Sequence, residues 1–341
     1  MADTEQPLLP YARGRTPFDI VRAAHIELVV TDLARAREFY VDLLGLEPTE
    51  EAPDALYLRA YEERLHHSLV LRVGPEPVMG HCSFRVGAAE DLALLAELFA
   101  AWECPVTWLD AESVEPGQGP ALRVQDPLGF PVEFFHDMDK AECLLQRYDL
   151  YRAGHVRRFD HLNLSVPDAM AGYEHYRRLG FGLSEYIETD VTHRLAAAWL
   201  YRKQTVHDVA LTSGRGPRLH HLAYTTANAG MILHLCDRLA AGGWVDSIER
   251  GPGRHGVSNA FYLYLRDPDG HRIELYEGDY YTGDPDHEPI RWSASDPRRR
   301  SWWGHHVADS WYEEGTLVAR IDGGGAMELA EPVVDERVPV S

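Results

Sequence analysis

The chain has 341 residues, of which 45% are hydrophobic and 26% are charged, and its formal net charge is −21 at pH 7. This length suits two domains with large cores, and the negative charge argues against nucleic acid and anionic membrane surfaces as partners. The first 17 residues lack an apolar signal core, no segment has the length of a membrane span, and the four cysteines form no C-x-x-C pair. We therefore expect a cytoplasmic protein with reduced, buried thiols.

The chain repeats itself, beginning with two runs that alternate as strands do. His25 opens the run H-I-E-L-V-V-T-D, and His161 opens the run H-L-N-L-S-V-P-D. Each run leads into a segment with helical spacing, 34–46 in the first half and 169–181 in the second, and a Gly is placed to end each helix.

The later parts of the two halves also correspond. His81 in G-H-C-S-F-R matches His221 in H-H-L-A-Y-T, and D-P-L-G-F-P-V-E ending at Glu133 matches D-P-D-G-H-R-I-E ending at Glu274. D-P-x-G is typical of a turn between two strands, so each Glu lies on the strand after the turn. We predict an α+β fold made of tandem βαβββ repeats, in two similar domains followed by a C-terminal arm.

The second half carries a set of residues that suits a metal ion. His161, His221 and Glu274 lie 60 and 53 residues apart, on three predicted strands, so they can meet only across a curved sheet. Two imidazoles and one carboxylate on one face of a metal leave the opposite positions open, as in non-haem Fe(II) oxygenases. Taken singly, however, a strand His is more often a core residue than a ligand.

Several longer stretches carry a family resemblance. They are Q-R-Y-D-L-Y (146–151), R-K-Q-T-V-H-D (202–208), R-G-P-G-R-H-G-V-S-N-A-F-Y-L-Y (250–264), D-P-D-G-H-R-I-E (267–274) and D-Y-Y-T-G-D-P-D (279–286). With them the chain resembles the type I extradiol catechol dioxygenases of the vicinal oxygen chelate superfamily, most closely those members that act on 3,4-dihydroxyphenylacetate. The resemblance runs from about Asp19 to about Trp311 and implies the glyoxalase-like form of the βαβββ fold.

The resemblance implies a role for each matching residue. His161, His221 and Glu274 fall on the metal ligands, and His207 falls on the acid/base histidine. The other assignments are Tyr264 beside a catechol oxygen, Asn163 and Trp199 near the oxygen and the ring, Arg250, His255, Arg299 and Arg300 around the substrate side chain, and Tyr276 in support of the metal ligands. Without the resemblance, Tyr264 and Trp199 could equally be core residues, and the arginines at 298–300 a solvated patch.

The implied activity is cleavage of a catechol ring by O2 next to its two hydroxyls. The expected reaction converts 3,4-dihydroxyphenylacetate to 5-carboxymethyl-2-hydroxymuconate semialdehyde in a homotetramer, with Fe(II) as the metal and Mn(II) as an alternative that the same ligands accept. Another carboxylated catechol as substrate, or a non-catalytic small-molecule-binding member of the superfamily, are the alternatives.

These assignments define the domain organisation that we predict. It comprises an N-terminal extension (1–17), an N-terminal structural domain (18–136), a linker helix (137–157), a catalytic metal-binding domain (158–281), a C-terminal arm near the active site (282–318) and a loose tail (319–341).

The first half retains its own copy of the metal-binding pattern. His25, His81 and Glu133 stand where the second half has His161, His221 and Glu274. Because the first domain of the family is usually metal-free, we expect a vestigial site here. A second metal site is the alternative.

Overall fold

The computed structural model describes residues 10, 12–110, 112–151 and 156–334, which form two large sheets with few helices. The strands of the first sheet are β1 (Ile20–Val30), β2 (Glu47–Glu51), β3 (Ala55–Arg59), β4 (Leu69–Val73), β5 (Met79–Val86), β6 (Val106–Leu109), β7 (Ala121–Gln125) and β8 (Pro131–Phe135). The strands of the second are β9 (Val156–Val166), β10 (Gly182–Glu188), β11 (Leu195–Tyr201), β12 (Val209–Ser213), β13 (Arg218–Thr226), β14 (Ile248–Arg254), β15 (Phe261–Arg266), β16 (Arg272–Glu277), β17 (Ile290–Ser293) and β18 (Thr316–Leu317).

Helices separate the first and second strands of each repeat. They are α1 (Leu33–Arg37), continued by a π-helical stretch (Glu38–Leu43), then α2 (Glu90–Ala101), α3 (Ala169–Arg178) and α4 (Ala229–Ala241). A further short helix, α5 (Ser310–Glu313), and 3-10 turns at Val245–Ser247, Val257–Asn259 and Pro297–Arg299 complete the set. Four strand–helix–three-strand units therefore follow one another, and the predicted α+β fold of tandem βαβββ repeats is confirmed. No helix among the described residues is long and apolar enough to cross a membrane.

The repeated sequence motifs act locally in the same way in both halves. Asp32 and Asp168, which end the two opening runs, cap α1 and α3 by accepting hydrogen bonds from two backbone N–H groups each. In the D-P-x-G turns, Asp126 and Asp267 each accept from the N–H groups two and four residues on. The turn glycines have φ values of 90° and 84°, which residues with a side chain rarely adopt.

Both sheets share one topology. The order is β2-β3-β4-β1-β5-β8-β7-β6 in the first sheet and β14-β15-β16-β13-β9-β12-β11-β10-β17 in the second. The opening strands of two units pair antiparallel at the centre (β1 with β5, β9 with β13), and each has the last strand of its own unit parallel beside it. The centre of each sheet therefore gathers residues that are far apart in sequence.

Two buried carboxylates join the two sheets reciprocally. Glu63 of the first half accepts from the N–H of Phe159 on β9 at 3.1 Å, and Asp208 of the second half accepts from the N–H of Ala23 on β1 at 2.9 Å. Asp208 also accepts from the backbone N–H groups of Arg202 and Lys203. Since its side chain is fully buried, these donors have no water to replace it.

Two predictions about connecting segments are wrong. The linker helix over 137–157 is not formed in its described part, because the N–H groups of Ala141 and Leu144 bond to the carbonyls of Arg64 and Tyr61 instead of to their own turn. The tail over 319–341 is not loose as far as residue 334. Its backbone bonds to Met79 in the first sheet and to Gly216 and Pro167 in the second half, so it bridges both. Residues 335–341, together with 1–9 and 11 of the N-terminal extension, lie outside the described residues.

All four cysteines are free, as expected, although only Cys82 is fully buried.

We predict that Asp208→Ala weakens the joint between the halves. Leaving three buried N–H groups without their acceptor should cost about 2–4 kcal/mol and lower Tm by at least roughly 5 °C. Thermal unfolding, monitored by circular dichroism, would measure this loss of stability. Asp237→Ala, on the exposed face of α4, is the matched control, and equal shifts for both variants would contradict the assignment.

Candidate metal centre

Strand pairing brings the three predicted metal ligands together. Ala223 on β13 lies opposite His161 on β9 and, on its other side, opposite Glu274 on β16. Residues opposite each other in a sheet share a face, and so do alternate residues of one strand, so His221 joins them. The small side chain of Ala223 leaves the space between the ligands open.

The three ligand atoms converge on one point. Oε2 of Glu274 lies 3.1 Å from Nε2 of His161 and 3.1 Å from Nε2 of His221. All three residues are buried. Although burial acts to raise the pKa of Glu274, hydrogen bonds from both imidazoles hold it well below its usual range. Burial lowers the pKa of His221 to about 4. Although burial acts to lower the pKa of His161, hydrogen bonds to Asp160 and Glu274 raise it. A metal is bound by an ionised carboxylate and neutral imidazole nitrogens, so its binding would compete with protonation of His161.

The far side of each imidazole is anchored. Nδ1 of His161 lies 3.0 Å from the Asp160 carboxylate, and Nδ1 of His221 lies 2.7 Å from Nδ1 of His220. Nε2 of His220 meets the carbonyl of Trp311 at 2.9 Å. Such outer partners fix the ring orientation and turn Nε2 toward the centre, as in natural metal sites. The residues present thus fit a mononuclear non-haem metal.

The predicted second-half residues all line one cavity around this point. They are His161, Asn163, Trp199, His207, His221, Arg250, His255, Tyr264, Glu274, Tyr276, Arg299 and Arg300. Arg299, which the sequence alone allowed on a solvated patch, is only 3% exposed. The cavity walls also include Ile187, Thr212, His220, Val257, Ser258, Ala260 and Trp311.

His207 lies against the ligand His161. Their ring centroids are 3.8 Å apart, and burial lowers the pKa of His207 well below its usual value, so the ring is neutral. Its backbone is held by Lys203, which donates to the His207 carbonyl. Asn163 is oriented by Thr212, whose hydroxyl donates to the amide oxygen at 2.9 Å and leaves the amide NH2 free for the cavity.

A hydrogen-bonded chain connects Tyr264 to the C-terminal arm. Nδ1 of His255 lies 2.6 Å from the carbonyl of Arg300, which can only accept, so this nitrogen carries the proton. Nε2 of His255 must then accept, and the Tyr264 hydroxyl donates to it at 2.9 Å. The Arg250 guanidinium also donates to the Arg300 carbonyl, at 2.8 Å, and lies over the ring of Trp311. Tyr276 packs its ring 5.3 Å from that of His161.

Some residues that shape the site were not predicted from the sequence. Glu185 on β10 is fully buried and accepts from the N–H of Ser258, the hydroxyl of Tyr280 and the indole of Trp292, at 2.6 to 2.7 Å. It thereby ties the loop after His255 to the strand that leads to Arg299. A charged residue in the middle of the strand, between Leu183 and Ile187, was the available signal.

The first half also brings its three predicted residues together. His25, His81 and Glu133 meet at the centre of the first sheet, joined by Glu115, which the sequence analysis missed because it comes from a loop.

Comparisons with known proteins place this geometry in a family. Residues 22–134 and 158–275 each match the Glyoxalase/Bleomycin resistance protein/Dioxygenase superfamily. The chain belongs to this superfamily. A manganese-dependent 2,3-dihydroxybiphenyl 1,2-dioxygenase of Geobacillus genomosp. 3 is 33% identical over 84% of the chain and 94% of the relative. A metapyrocatechase of Geobacillus stearothermophilus is 30% identical over 88% and 95%.

Solved structures narrow the resemblance within the superfamily. The homoprotocatechuate 2,3-dioxygenase of Brevibacterium fuscum, in its anaerobic complex with 3,4-dihydroxyphenylacetate, is 48% identical, with a TM-score of 0.89 over 95% of this chain and 99% of that one. The Arthrobacter globiformis enzyme is 49% identical, with a TM-score of 0.89 over 95% and 98%. The predicted membership among the extradiol dioxygenases is confirmed.

We predict that Ala223→Leu abolishes metal binding without unfolding the chain. The added carbons would occupy the space between His161 on β9 and Glu274 on β16, so the affinity for the metal should fall by at least about 100-fold. The amount of metal retained per chain after desalting would measure this loss of affinity. Ala171→Leu, on the exposed face of α3, is the control. Full metal content in Ala223→Leu would contradict the geometry.

A pH dependence follows from Glu185. Burial raises its pKa to about 7, against the hydrogen bonds that it accepts. The folded state thus keeps a proton that the unfolded state has lost, so stability falls as pH rises from about 4.5 to about 7, by up to about 3 kcal/mol.

Glu185→Gln removes this titration. Between about pH 5 and pH 8 the Tm of the wild type should fall relative to that of Glu185→Gln, while the exposed Glu288→Gln should follow the wild type. Parallel plots of Tm against pH for the wild type and Glu185→Gln would show that Glu185 stays ionised in the folded state.

Proposed function

We propose that this extradiol dioxygenase cleaves 3,4-dihydroxyphenylacetate with O2 to 5-carboxymethyl-2-hydroxymuconate semialdehyde, at a metal bound by His161, His221 and Glu274. The observation that carries the proposal is the make-up of one cavity. It combines the two histidines and the carboxylate with a neutral histidine beside one ligand and with three arginines among the lining residues. The identity of 48% to an enzyme solved with this substrate supports the choice of catechol.

The bound metal, Fe(II) or Mn(II), supplies a Lewis acid that lowers the pKa of the catechol hydroxyls and open positions for catechol and O2. The chain's own residues then orient the ring and manage its protons. Tyr264, whose ring lies 5.2 Å from that of His221, hydrogen-bonds to His255 and to Glu274. Its hydroxyl oxygen keeps acceptor lone pairs, so it can accept a hydrogen bond from a catechol hydroxyl.

His207 supplies the second proton function. His207 lies beside His161, whereas Tyr264 lies beside His221. The two groups therefore face the substrate on the sides of different metal ligands. As a neutral imidazole it can take a proton from the substrate and return it when the O–O bond breaks. The Asn163 amide adds a donor for oxygen at the same wall.

The arginines give the cavity its preference for an anionic side chain. The chain carries a net charge of −21, yet Arg250, Arg299 and Arg300 all line the cavity, and Arg250 donates to the Arg300 carbonyl. Guanidinium groups bind carboxylates through paired, charge-assisted hydrogen bonds. We therefore assign the acetate group of the substrate to these arginines.

The boundaries of the two domains, 18–136 and 158–281, and of the arm, 282–318, remain part of the proposal, as do the homotetramer and the cytoplasmic location. Native mass spectrometry of the purified chain would test the tetramer.

Oxygen uptake by the Fe(II)-loaded chain with 3,4-dihydroxyphenylacetate, read together with the visible absorbance of the ring-opened product, tests the reaction. Stoichiometric uptake with a yellow product supports it, and Glu274→Gln should show neither signal. Uptake without a yellow product would mean a different bond is cleaved. No uptake by a chain with metal bound would move the assignment to another carboxylated catechol.

His207→Asn should lower kcat by about 100- to 10,000-fold, because the proton transfer loses its carrier. Metal content and KM should change by less than a few-fold, since His207 is not a ligand. His234→Asn, on the exposed face of α4, is the control. An unchanged kcat would exclude His207 from the proton transfer.

Arg299→Ala or Arg300→Ala should raise KM for 3,4-dihydroxyphenylacetate by about 10- to 100-fold, since a charge-assisted hydrogen bond contributes about 1.5–3 kcal/mol. KM for 4-methylcatechol should change little, because alanine at position 300 keeps the carbonyl that holds His255. Arg298→Ala is the matched control, since Arg298 is exposed and pairs with Asp296. An equal rise in KM for both substrates would contradict the assignment of these arginines to the substrate carboxylate.

A further inference from the structure

We propose that the first sheet binds a second metal ion, a divalent ion of the Zn(II) type, through His25, His81, Glu115 and Glu133. This site is separate from the catalytic centre, and its role is structural. All four side chains are buried, and their ligand atoms lie within 4.8 Å of one another.

The strand pairing repeats that of the catalytic centre. Ser83 on β5 lies opposite His25 on β1 and, on its other side, opposite Glu133 on β8, so it holds the position that Ala223 holds in the second sheet. His81 is two residues from Ser83 and shares its face. Glu115 comes from the loop between β6 and β7, the counterpart of the loop that brings His255 near Glu274.

The spacing of the donors suits four-coordinate binding. Nε2 of His81 lies 3.2 Å from Nε2 of His25, 3.5 Å from Oε1 of Glu115 and 3.9 Å from Oε1 of Glu133. Nε2 of His25 lies 3.6 Å from Oε1 of Glu133. Ligand bonds of about 2.0–2.2 Å in a tetrahedron place neighbouring donors roughly 3.4 Å apart.

The four-residue cluster carries more negative than positive charge, so it can accept a cation. Two buried carboxylates, Glu115 and Glu133, face one guanidinium, that of Arg123. Arg123 holds Oε2 of Glu133 at 2.5 Å, and the same nitrogen lies 3.4 Å from Nε2 of His81 and 3.5 Å from Oε1 of Glu115, so a metal ion would take the place of the guanidinium at these two ligand atoms. Oε1 of Glu133 is the oxygen near both histidines, and it accepts from the Gln118 amide at 2.7 Å. Oε2 of Glu115 is buried and has no hydrogen-bond partner among the described residues. A divalent ion would offset the remaining negative charge.

The site differs from the catalytic centre in being closed. Four protein donors complete a tetrahedron, and His25, His81 and Glu133 are each 0% exposed. Closed sites with four protein ligands are typical of structural zinc, whereas catalytic sites keep an open position.

Metal stoichiometry in a chain without its catalytic ligands tests the proposal. The His161→Gln, Glu274→Gln chain is stripped with a chelator, incubated with Zn(II), desalted and analysed for metal. We expect about one Zn(II) per chain. Adding Glu115→Gln or His81→Gln should remove it, while Glu112→Gln, exposed on the same loop, should not. The Co(II)-loaded chain should show the intense visible absorption of four-coordinate Co(II).

Two results would overturn the proposal. One is a His161→Gln, Glu274→Gln chain that retains no Zn(II), which would mean that Arg123 alone neutralises the cluster. The other is the same Zn(II) content after Glu115→Gln and His81→Gln. Far-UV circular dichroism and Tm of each variant separate loss of the ligand from loss of the fold, and Glu115→Gln preserves the side-chain shape.

Discussion

The proposed catalytic centre depends on the pairing of β13 between β9 and β16. This register sets Ala223 between His161 and Glu274 and adds His221 from the same strand. A shift of one residue in either pairing would turn the ligands to opposite faces of the sheet. The chelating geometry is therefore a property of the sheet, and the surrounding residues only tune it.

The second constraint is the anchoring of groups outside the metal ligands. Asp160 and His220 hold the outer nitrogens of the two histidines, and the Arg300 carbonyl sets the tautomer of His255 and thereby the proton of Tyr264. The arm thus reaches the proposed site through a backbone atom as well as through charged side chains. Glu185 holds this arm and the loop after His255 in place.

The two halves show how one scaffold supports two different environments. At the position opposite the carboxylate, the second sheet has Tyr264 facing Glu274, and the first has Arg123 facing Glu133. The tyrosine borders the cavity of the second half, whereas the guanidinium contacts Glu115 and Glu133 in the first half. The two halves thus keep the ligand pattern in different surroundings.

The sequence alone determined the repeats and the D-P-x-G turns, and its resemblance to a known family indicated the residues that line the cavity. It could do so because D-P-x-G turns act over a few residues, and several of the site residues lie in long family-specific stretches. Only the tertiary structure decided the path of the linker, the docking of residues 319–334, and the placement of Glu115 and Glu185. Each of these depends on partners from distant strands, which supply hydrogen bonds that no local pattern encodes.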